Sequence, residues 1–320
     1  MQNYIAAPEG TRDIIFSECA ARRLLDARME ALFARRGYRE VSTPVMEYYD
    51  LFLRTGAPIP EQSMFKVIDR SGRICVLRPD STTPIARLAA SRLAAEPLPL
   101  RLWYAQPVFR SGDALAGAPA QTMQTGAELV GLPGRDADID ILSLCAECLS
   151  GVTENFHIEI SHAGIFAVLC NALNLSQGER ETIRALILRK NFAALGDALE
   201  PYGGHDAAYD LLLLMRLSGP CEALQDAKGC KTPALRPILD ELLALLGALP
   251  PGHFSVDLGM VHAIEYYTGI VFRGYIAGAA GEVLAGGRYD NLLGLLGRDT
   301  PAVGFAIDMD ALLTLERNDL

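Results

Sequence analysis

The sequence lacks an excess of positive charge, a long apolar run and a secretion signal. Its 320 residues contain 29 lysines and arginines against 39 aspartates and glutamates, which gives a formal net charge of −10. Nucleic-acid binding depends on cations that displace counterions, so this balance weighs against nucleic acid as a main partner and leaves only a local basic patch open. No apolar run approaches the roughly 20 residues that span a bilayer. The N-terminal residues also lack the basic and apolar regions of a signal peptide. We expect a cytoplasmic protein that does not contact membranes.

The sequence also lacks a cysteine pattern typical of a metal or redox site. Its seven cysteines are scattered. Cys145 and Cys148 form one CxxC pattern inside a predicted helix, without a second CxxC or a group of histidines. We interpret them as small apolar residues on one helix, and we expect neither a metal nor a cofactor.

The remaining composition and periodicity predict a folded α+β chain. Half of the residues are apolar, which excludes wholesale disorder. Helices are predicted at 17–36, capped by Ser17 and ended by Gly37, and at 138–150. Strand patterns are predicted at 73–77, 101–109, 121–130, 156–160, 253–258 and 265–275. A largely helical block at about 163–250 separates the two groups of strands, and a capping box at Ser176 opens one of its helices. The order predicts a mostly antiparallel sheet flanked by helices, with a helical insertion.

The C-terminal part is predicted to contain a Gly-rich turn at Gly286 and Gly287, followed by a helix from Tyr289. A second helix is predicted within Gly304 to Ala311.

Five short stretches occur in an order that points to one family. They are Pro8-Glu9-Gly10-Thr11-Arg12-Asp13, Leu77-Arg78-Pro79-Asp80-Ser81-Thr82-Thr83, Glu265-Tyr266-Tyr267-Thr268-Gly269, Ala285-Gly286-Gly287-Arg288-Tyr289-Asp290 and Thr300-Pro301-Ala302-Val303-Gly304-Phe305-Ala306. Together they resemble the catalytic domain of histidyl-tRNA synthetase, a class II synthetase, from about residue 5 to residue 315. The resemblance implies one class II synthetase-like domain over residues 1–320, with the helical block as an insertion.

The chain departs from the synthetase pattern where that pattern holds ATP. The Phe-Arg-x-Glu of the family stands here as Phe109-Arg110-Ser111-Gly112, and Ala120 occupies the position of a further Arg. His262 occupies another Arg position, and Asp310-Ala311 replaces a Glu-Arg pair. Loss of one charge-stabilising donor costs on the order of 10²–10³ in rate, and arginine supplies such donors best. The sequence ends at Leu320, where the resemblance leads us to expect no anticodon-binding domain and no tRNA partner.

With these departures, the chain resembles the regulatory subunits of ATP phosphoribosyltransferase. These are synthetase-like proteins that pair with a short catalytic subunit in the first step of histidine biosynthesis. This resemblance implies a non-catalytic subunit that activates the short subunit and mediates feedback inhibition by L-histidine. It also implies a homodimer core, formed through residues 17–44, inside a hetero-oligomer. Two alternatives stay open. One is a divergent synthetase-like amino-acid-activating enzyme, and the other is a ligand-independent scaffold.

The same resemblance implies a histidine site. Histidine needs an acceptor for its ammonium group, a donor for its carboxylate and partners for two ring nitrogens. The matching positions place Asp80 and Thr82 at the ammonium, Arg110 at the carboxylate, Gln124 at the amino acid, Glu128 at the imidazole, Tyr267 and Tyr289 around the ring, and His262 as a further contact. The loop 111–120 is expected to be a mobile cover.

Each of these positions has a structural alternative. Asp80 also suits the start of a helix near Thr83. Glu128 is compatible with an exposed strand position, Tyr267 with core packing and His262 with an ordinary loop.

Overall fold

The computed structural model describes residues 5–55, 59–111, 119–261 and 266–318. The helices are α1 (Ser17–Arg35), α2 (Tyr49–Arg54), α3 (Thr82–Ala90), α4 (Arg135–Ser150), α5 (Ala163–Ala172), α6 (Gln177–Leu188), α7 (Phe192–Leu199), α8 (Asp206–Leu214), α9 (Arg236–Leu246) and α10 (Met309–Asn318). The strands are β1 (Arg39–Glu40), β2 (Met46–Tyr48), β3 (Lys66–Ile68), β4 (Ile74–Leu77), β5 (Leu100–Phe109), β6 (Gln121–Val130), β7 (Phe156–His162), β8 (Ser218–Pro220), β9 (Phe254–Asp257), β10 (Ile270–Ile276), β11 (Glu282–Arg288) and β12 (Ala302–Asp308).

The strands form a nine-stranded sheet and a three-stranded sheet. The large sheet has the order β1-β5-β6-β12-β11-β10-β7-β9-β8, and the small antiparallel sheet has the order β2-β4-β3. Within the large sheet only the β1–β5 and β7–β9 pairings are parallel in the described residues. The predicted fold class, a mostly antiparallel sheet flanked by helices, is therefore confirmed.

Alternating side chains divide the core into layers on the two faces of the large sheet. On β5, Leu100, Leu102 and Tyr104 pack with Ile85 of α3. Trp103, between them, packs in the other core with residues of α1, α4 and the helical block. This period of two is what the strand pattern predicts. The sheet therefore carries a small apolar layer on one face and a large one on the other.

Local predictions in the N-terminal and central parts have mixed outcomes. The capping box of α6 is confirmed, because the Ser176 hydroxyl accepts from the Glu179 backbone N–H and the Glu179 carboxylate accepts from the Ser176 backbone N–H. The assignment of Ser17 as a cap is wrong. Ser17 is the first residue of α1, and the cap position belongs to Phe16, which makes no side-chain capping bond. The block at 163–250 also contains β8, which pairs with β9 and so ties the block to the sheet.

The predictions after residue 280 need correction. Gly286 and Gly287 lie within β11 and form no turn. A Cβ on Gly286 would stand 2.5 Å from the Phe272 ring, and one on Gly287 would stand 2.7 Å from the Tyr267 ring. These glycines therefore make room for rings that pack on the sheet. No α-helix starts at Tyr289, and a short 3-10 turn follows at Gly294–Leu296. The stretch from Gly304 is strand as far as Asp308, because α10 begins only at Met309.

No helix among the described residues combines the length and the apolar character that crossing a bilayer requires.

Candidate ligand-binding site

A cavity of about 270 Å³ opens on the face of the large sheet where β6, β11 and β12 lie side by side. Its wall also includes the start of α3, the end of β5 and the residues that precede β10. Six of the eight predicted site residues line it: Asp80, Thr82, Arg110, Gln124, Tyr267 and Tyr289. The structure thus brings together positions that are more than 200 residues apart in the chain. The predicted contact His262 lies outside the described residues, as do residues 112–118 of the predicted covering loop.

Asp80 both lines the cavity and starts a helix. Its Oδ1 accepts the Thr83 backbone N–H at 2.7 Å, and its Oδ2 accepts the Thr83 hydroxyl at 3.2 Å. Burial raises the pKa of Asp80, while these hydrogen bonds and the nearby Arg110 oppose the rise. The structural alternative for Asp80 is therefore correct. It does not remove the carboxylate from the cavity, because the residue still contributes to the wall.

Glu128 lies behind the cavity wall and is fully buried. Its Oε1 accepts the Thr82 hydroxyl at 2.9 Å, and its Oε2 accepts the Tyr289 hydroxyl. Burial raises its pKa to about 8, although both hydrogen bonds act in the opposite direction. The alternative of an exposed strand residue is wrong. Glu128 instead links two side chains of the cavity wall through one carboxyl group.

A glycine on the neighbouring strand makes room for Glu128. Gly304 of β12 pairs with Glu128 of β6. A Cβ at Gly304 would stand 1.6 Å from Glu128 Oε2 and 2.7 Å from the Ala127 carbonyl oxygen. Real side chains do not tolerate such approaches, so only glycine allows the carboxyl group to lie across the sheet surface at this point.

Aromatic rings form the part of the wall nearest Glu128. The Tyr266 and Tyr267 ring centroids lie 4.9 Å apart, and those of Tyr266 and Tyr289 lie 5.8 Å apart, both in edge-on arrangements. Such clusters offer apolar faces and ring edges to a flat ligand, together with hydroxyl groups. Tyr266, which is not among the predicted site residues, also lines the cavity.

Charge in the cavity is unbalanced toward acids. Among the described residues that line it, Arg110 is the one lysine or arginine, whereas Asp80, Glu282 and Asp308 all contribute. The Arg110 Nε donates to the Pro79 carbonyl at 2.7 Å, which holds the side chain against the loop before α3. Glu282 pairs with Arg273 at 3.0 Å. Sequence reasoning missed Glu282 and Asp308. Asp308 stands two residues before the Asp310-Ala311 replacement, which was the nearest available signal.

The replaced synthetase positions have structural roles in this chain. Asp310 pairs with Arg22 at 3.2 Å and accepts the Met123 backbone N–H at 2.8 Å. Ala120 donates its backbone N–H to the Gly10 carbonyl at 2.7 Å. These contacts tie the start of β6 to α10 and to the N-terminal segment, and neither Asp310 nor Ala120 lines the cavity.

The CxxC pair is not part of this site. Cys145 and Cys148 are buried on α4, and burial raises the pKa of both thiols. Their interpretation as apolar residues of one helix is confirmed. Within the described ranges, no three His, Cys, Asp or Glu side chains gather as a metal ion would require.

The order of the strands and the position of the cavity define a protein of the class II aminoacyl-tRNA synthetase type. The histidyl-tRNA synthetase family profile matches residues 10–312. An ATP phosphoribosyltransferase regulatory subunit of Clostridium kluyveri is 38% identical over 321 residues, which cover 97% of this chain and 82% of the relative. One of Symbiobacterium thermophilum is 40% identical over 313 residues, covering 96% and 78%.

A solved structure from Bacillus halodurans gives the same result. It is described as an ATP phosphoribosyltransferase regulatory subunit/histidyl-tRNA synthetase, and it superposes with a TM-score of 0.85 at 31% identity, covering 97% of this chain and 83% of that one. The chain therefore belongs to the histidyl-tRNA synthetase family and, within it, to the regulatory subunits of ATP phosphoribosyltransferase.

Proposed function

We propose that this chain activates a separate, short ATP phosphoribosyltransferase catalytic subunit and that L-histidine, bound in the cavity, reverses the activation. One observation carries the proposal. The cavity keeps six positions expected to contact an amino acid, while Arg110 is the one lysine or arginine among its described lining residues. This combination suits binding of a small zwitterion and does not suit stabilisation of a polyphosphate.

The wall offers complementary groups to each part of histidine. The carboxylate of Asp80 can accept hydrogen bonds from the ammonium group of histidine, and the guanidinium of Arg110 can donate hydrogen bonds to the carboxylate of histidine. The imidazole would lie among the tyrosine rings, where the hydroxyl groups and Glu128 behind them offer both donors and acceptors. The pattern of two charged contacts beside an aromatic, partly buried region is typical of small-ligand sites.

Regulation requires only a modest difference in histidine affinity between two conformations of the subunit. Allosteric couplings typically amount to ~1–3 kcal/mol. A few hydrogen bonds that differ between the conformations can supply this amount, since each contributes about 0.5–1.5 kcal/mol. The loop 111–120 stays our candidate for the element that changes.

We further propose that the chain lacks synthetase activity and forms a homodimer core. Large apolar side chains are exposed on and around the small sheet, and such patches commonly mark protein interfaces. They are Val45, Met46, Tyr48, Leu53, Ile68 and Ile74. Val45, Met46 and Tyr48 follow directly after the predicted interface at residues 17–44, and Ile68 and Ile74 join them through the pairing of β3 and β4 in the same small sheet. Sedimentation equilibrium of the chain and of Ile68→Asp tests the dimer, and ATP–pyrophosphate exchange with histidine tests the enzymatic alternative.

The decisive experiment measures condensation of ATP with phosphoribosyl pyrophosphate by a short-form catalytic subunit, with and without this chain, across a histidine titration. We expect stimulation that histidine reverses. Stimulation without histidine sensitivity would support the scaffold alternative. No stimulation by this chain of its own catalytic subunit would contradict the proposal.

A matched pair of variants locates the histidine site. Tyr289→Phe deletes the hydroxyl that donates to Glu128. Tyr275→Phe makes the same chemical change on β10, at a residue that does not line the cavity. We expect the first to raise the half-inhibitory histidine concentration about three- to tenfold, the equivalent of one hydrogen bond, and the second to leave it unchanged. Equal effects of both variants would place the site elsewhere.

A further inference from the structure

The N-terminus of α10 lies at the edge of the cavity. β12 ends at Asp308, and α10 (Met309–Asn318) begins with the next residue. The first backbone N–H groups of a helix have no partner within the helix and carry a partial positive charge. For this reason helix N-termini commonly bind phosphate and other anions. Asp308 itself lines the cavity, so this end of the helix adjoins the ligand space.

A carboxylate of the chain already occupies this helix end. The N–H groups of Asp310 and Ala311 both donate to Asp308 Oδ1, each at 2.9 Å. The donors that would otherwise face an incoming phosphate are therefore engaged. A negative charge also stands where the phosphate would approach, and Asp80 and Glu282 add further carboxylates to the same wall.

The neighbouring acid Asp310 has different surroundings. It lies only two residues along the chain, but its carboxylate pairs with Arg22 at 3.2 Å and accepts the Met123 N–H at 2.8 Å. It does not line the cavity. Asp308 therefore faces the ligand space, whereas Asp310 is paired with an arginine outside it. The two aspartates can be compared directly in variants.

We propose that Asp308 determines the ligand specificity of the cavity by acting as a built-in anion. It occupies the N-terminus of α10 and repels ligands that carry phosphate, such as nucleotides and pyrophosphate. The cavity is thereby reserved for an uncharged or zwitterionic ligand. The identity of that ligand as an amino acid rests on the proposed function, whereas the exclusion of phosphate does not.

The test compares neutral variants that keep a helix cap. Asn and Ser are both favourable residues at a helix N-terminus, so Asp308→Asn and Asp308→Ser remove the charge and retain an acceptor. Asp308→Glu retains the charge, and Asp310→Asn removes the neighbouring one. Isothermal titration calorimetry at low salt measures the binding of pyrophosphate, ATP and histidine to each protein, and thermal unfolding identifies the variants that are folded.

We expect wild type, Asp308→Glu and Asp310→Asn to bind pyrophosphate and ATP weakly or undetectably. The two neutral Asp308 variants should bind them at least about tenfold more tightly, because a like charge at a binding site costs more than the 1.4 kcal/mol that a tenfold change represents. Unchanged affinity in a folded Asp308→Asn or Asp308→Ser would overturn the proposal. Tight binding of pyrophosphate by the wild-type protein would also overturn it, and this measurement needs no variant to fold.

The histidine titrations separate this proposal from the proposed function. Gained pyrophosphate binding together with retained histidine binding would support both. Gained pyrophosphate binding in a series that never binds histidine would support the role of Asp308 and contradict the histidine site. Retained histidine binding with no gain in pyrophosphate binding would contradict only the role of Asp308.

Discussion

The wild-type protein should become less stable as the pH rises, because Glu128 is buried and must lose its proton. Glu128→Gln should remove most of this pH dependence. The pKa of Glu128 is raised from 4.5 to about 8 because its carboxyl group is buried. The folded chain therefore holds a proton that the unfolded chain has released over this interval. Such a group contributes its full stability below the unfolded pKa, and this contribution is lost as the pH rises through the folded pKa. Stability should thus fall between these two values.

The linkage relation gives the size of the effect. With a folded pKa of about 8 and an unfolded pKa of 4.5, raising the pH from about 6 to about 8 removes about 2 kcal/mol of unfolding free energy. Glutamine keeps the shape and the neutral charge of the protonated acid, so the variant lacks this term. Its amide oxygen can still accept from the Thr82 or Tyr289 hydroxyl.

Urea unfolding at the two pH values gives the change in unfolding free energy with pH for each protein. The effect is the difference between the change in wild type and the change in Glu128→Gln. Other groups titrate equally in both proteins, including Asp138, whose pKa burial raises to about 6, and their contributions cancel. Glu222→Gln, at an exposed position, serves as the matched control and should follow wild type. The reasoning is refuted if wild type and Glu128→Gln lose the same stability within about 0.5 kcal/mol, since the linked proton would then be absent.

Two further substitutions test the frame around the site. Gly304→Ala should destabilise the chain by about 1–3 kcal/mol in urea unfolding and weaken histidine binding, because its Cβ would stand 1.6 Å from Glu128 Oε2; Gly281→Ala, with no atom within 4 Å, should do neither. Arg288→Ala should cost about 3–5 kcal/mol, because it leaves Asp138 buried without the guanidinium that now lies 2.6 Å away. A loss below about 1 kcal/mol would mean that Asp138 finds water or another donor.

The sequence predicts the regular parts of the fold well because their signals are local. β6 runs from Gln121 to Val130 as predicted, since its alternation reflects one strand facing two layers. The Gly286-Gly287 pair misleads because glycine has more than one use. It marks a turn when the backbone needs a positive φ, but here it admits the rings of Phe272 and Tyr267. That requirement comes from residues distant in the chain, so no local pattern contains it.

The candidate site was likewise predictable only in part. The resemblance identifies six residues that line one cavity, and none of them would stand out by residue type alone. It does not identify Asp308, whose importance depends on where β12 ends, where α10 begins and which space lies in front of both. Asp80 shows the opposite case. Its capping role was predictable from its position before a helix, whereas its place in the cavity wall was predictable only from the resemblance, because it depends on α3 lying beside β6, where Thr82 donates to Glu128.

The arginines that remain in the family motifs differ in what they contact. Arg78 is buried and donates to the Thr43 and Pro107 carbonyls, and Arg288 is buried against Asp138. Both hold strands and helices together, and among the described arginines of these motifs Arg110 is the one that lines the cavity. Catalysis requires about 8–23 kcal/mol of transition-state stabilisation, and each charge-stabilising donor supplies roughly 2.7–4 kcal/mol. Regulation requires only ~1–3 kcal/mol of coupling. A cavity with one guanidinium among its described lining residues therefore suits the small coupling that the proposed histidine regulation needs better than the larger stabilisation that activation of an amino acid with ATP needs.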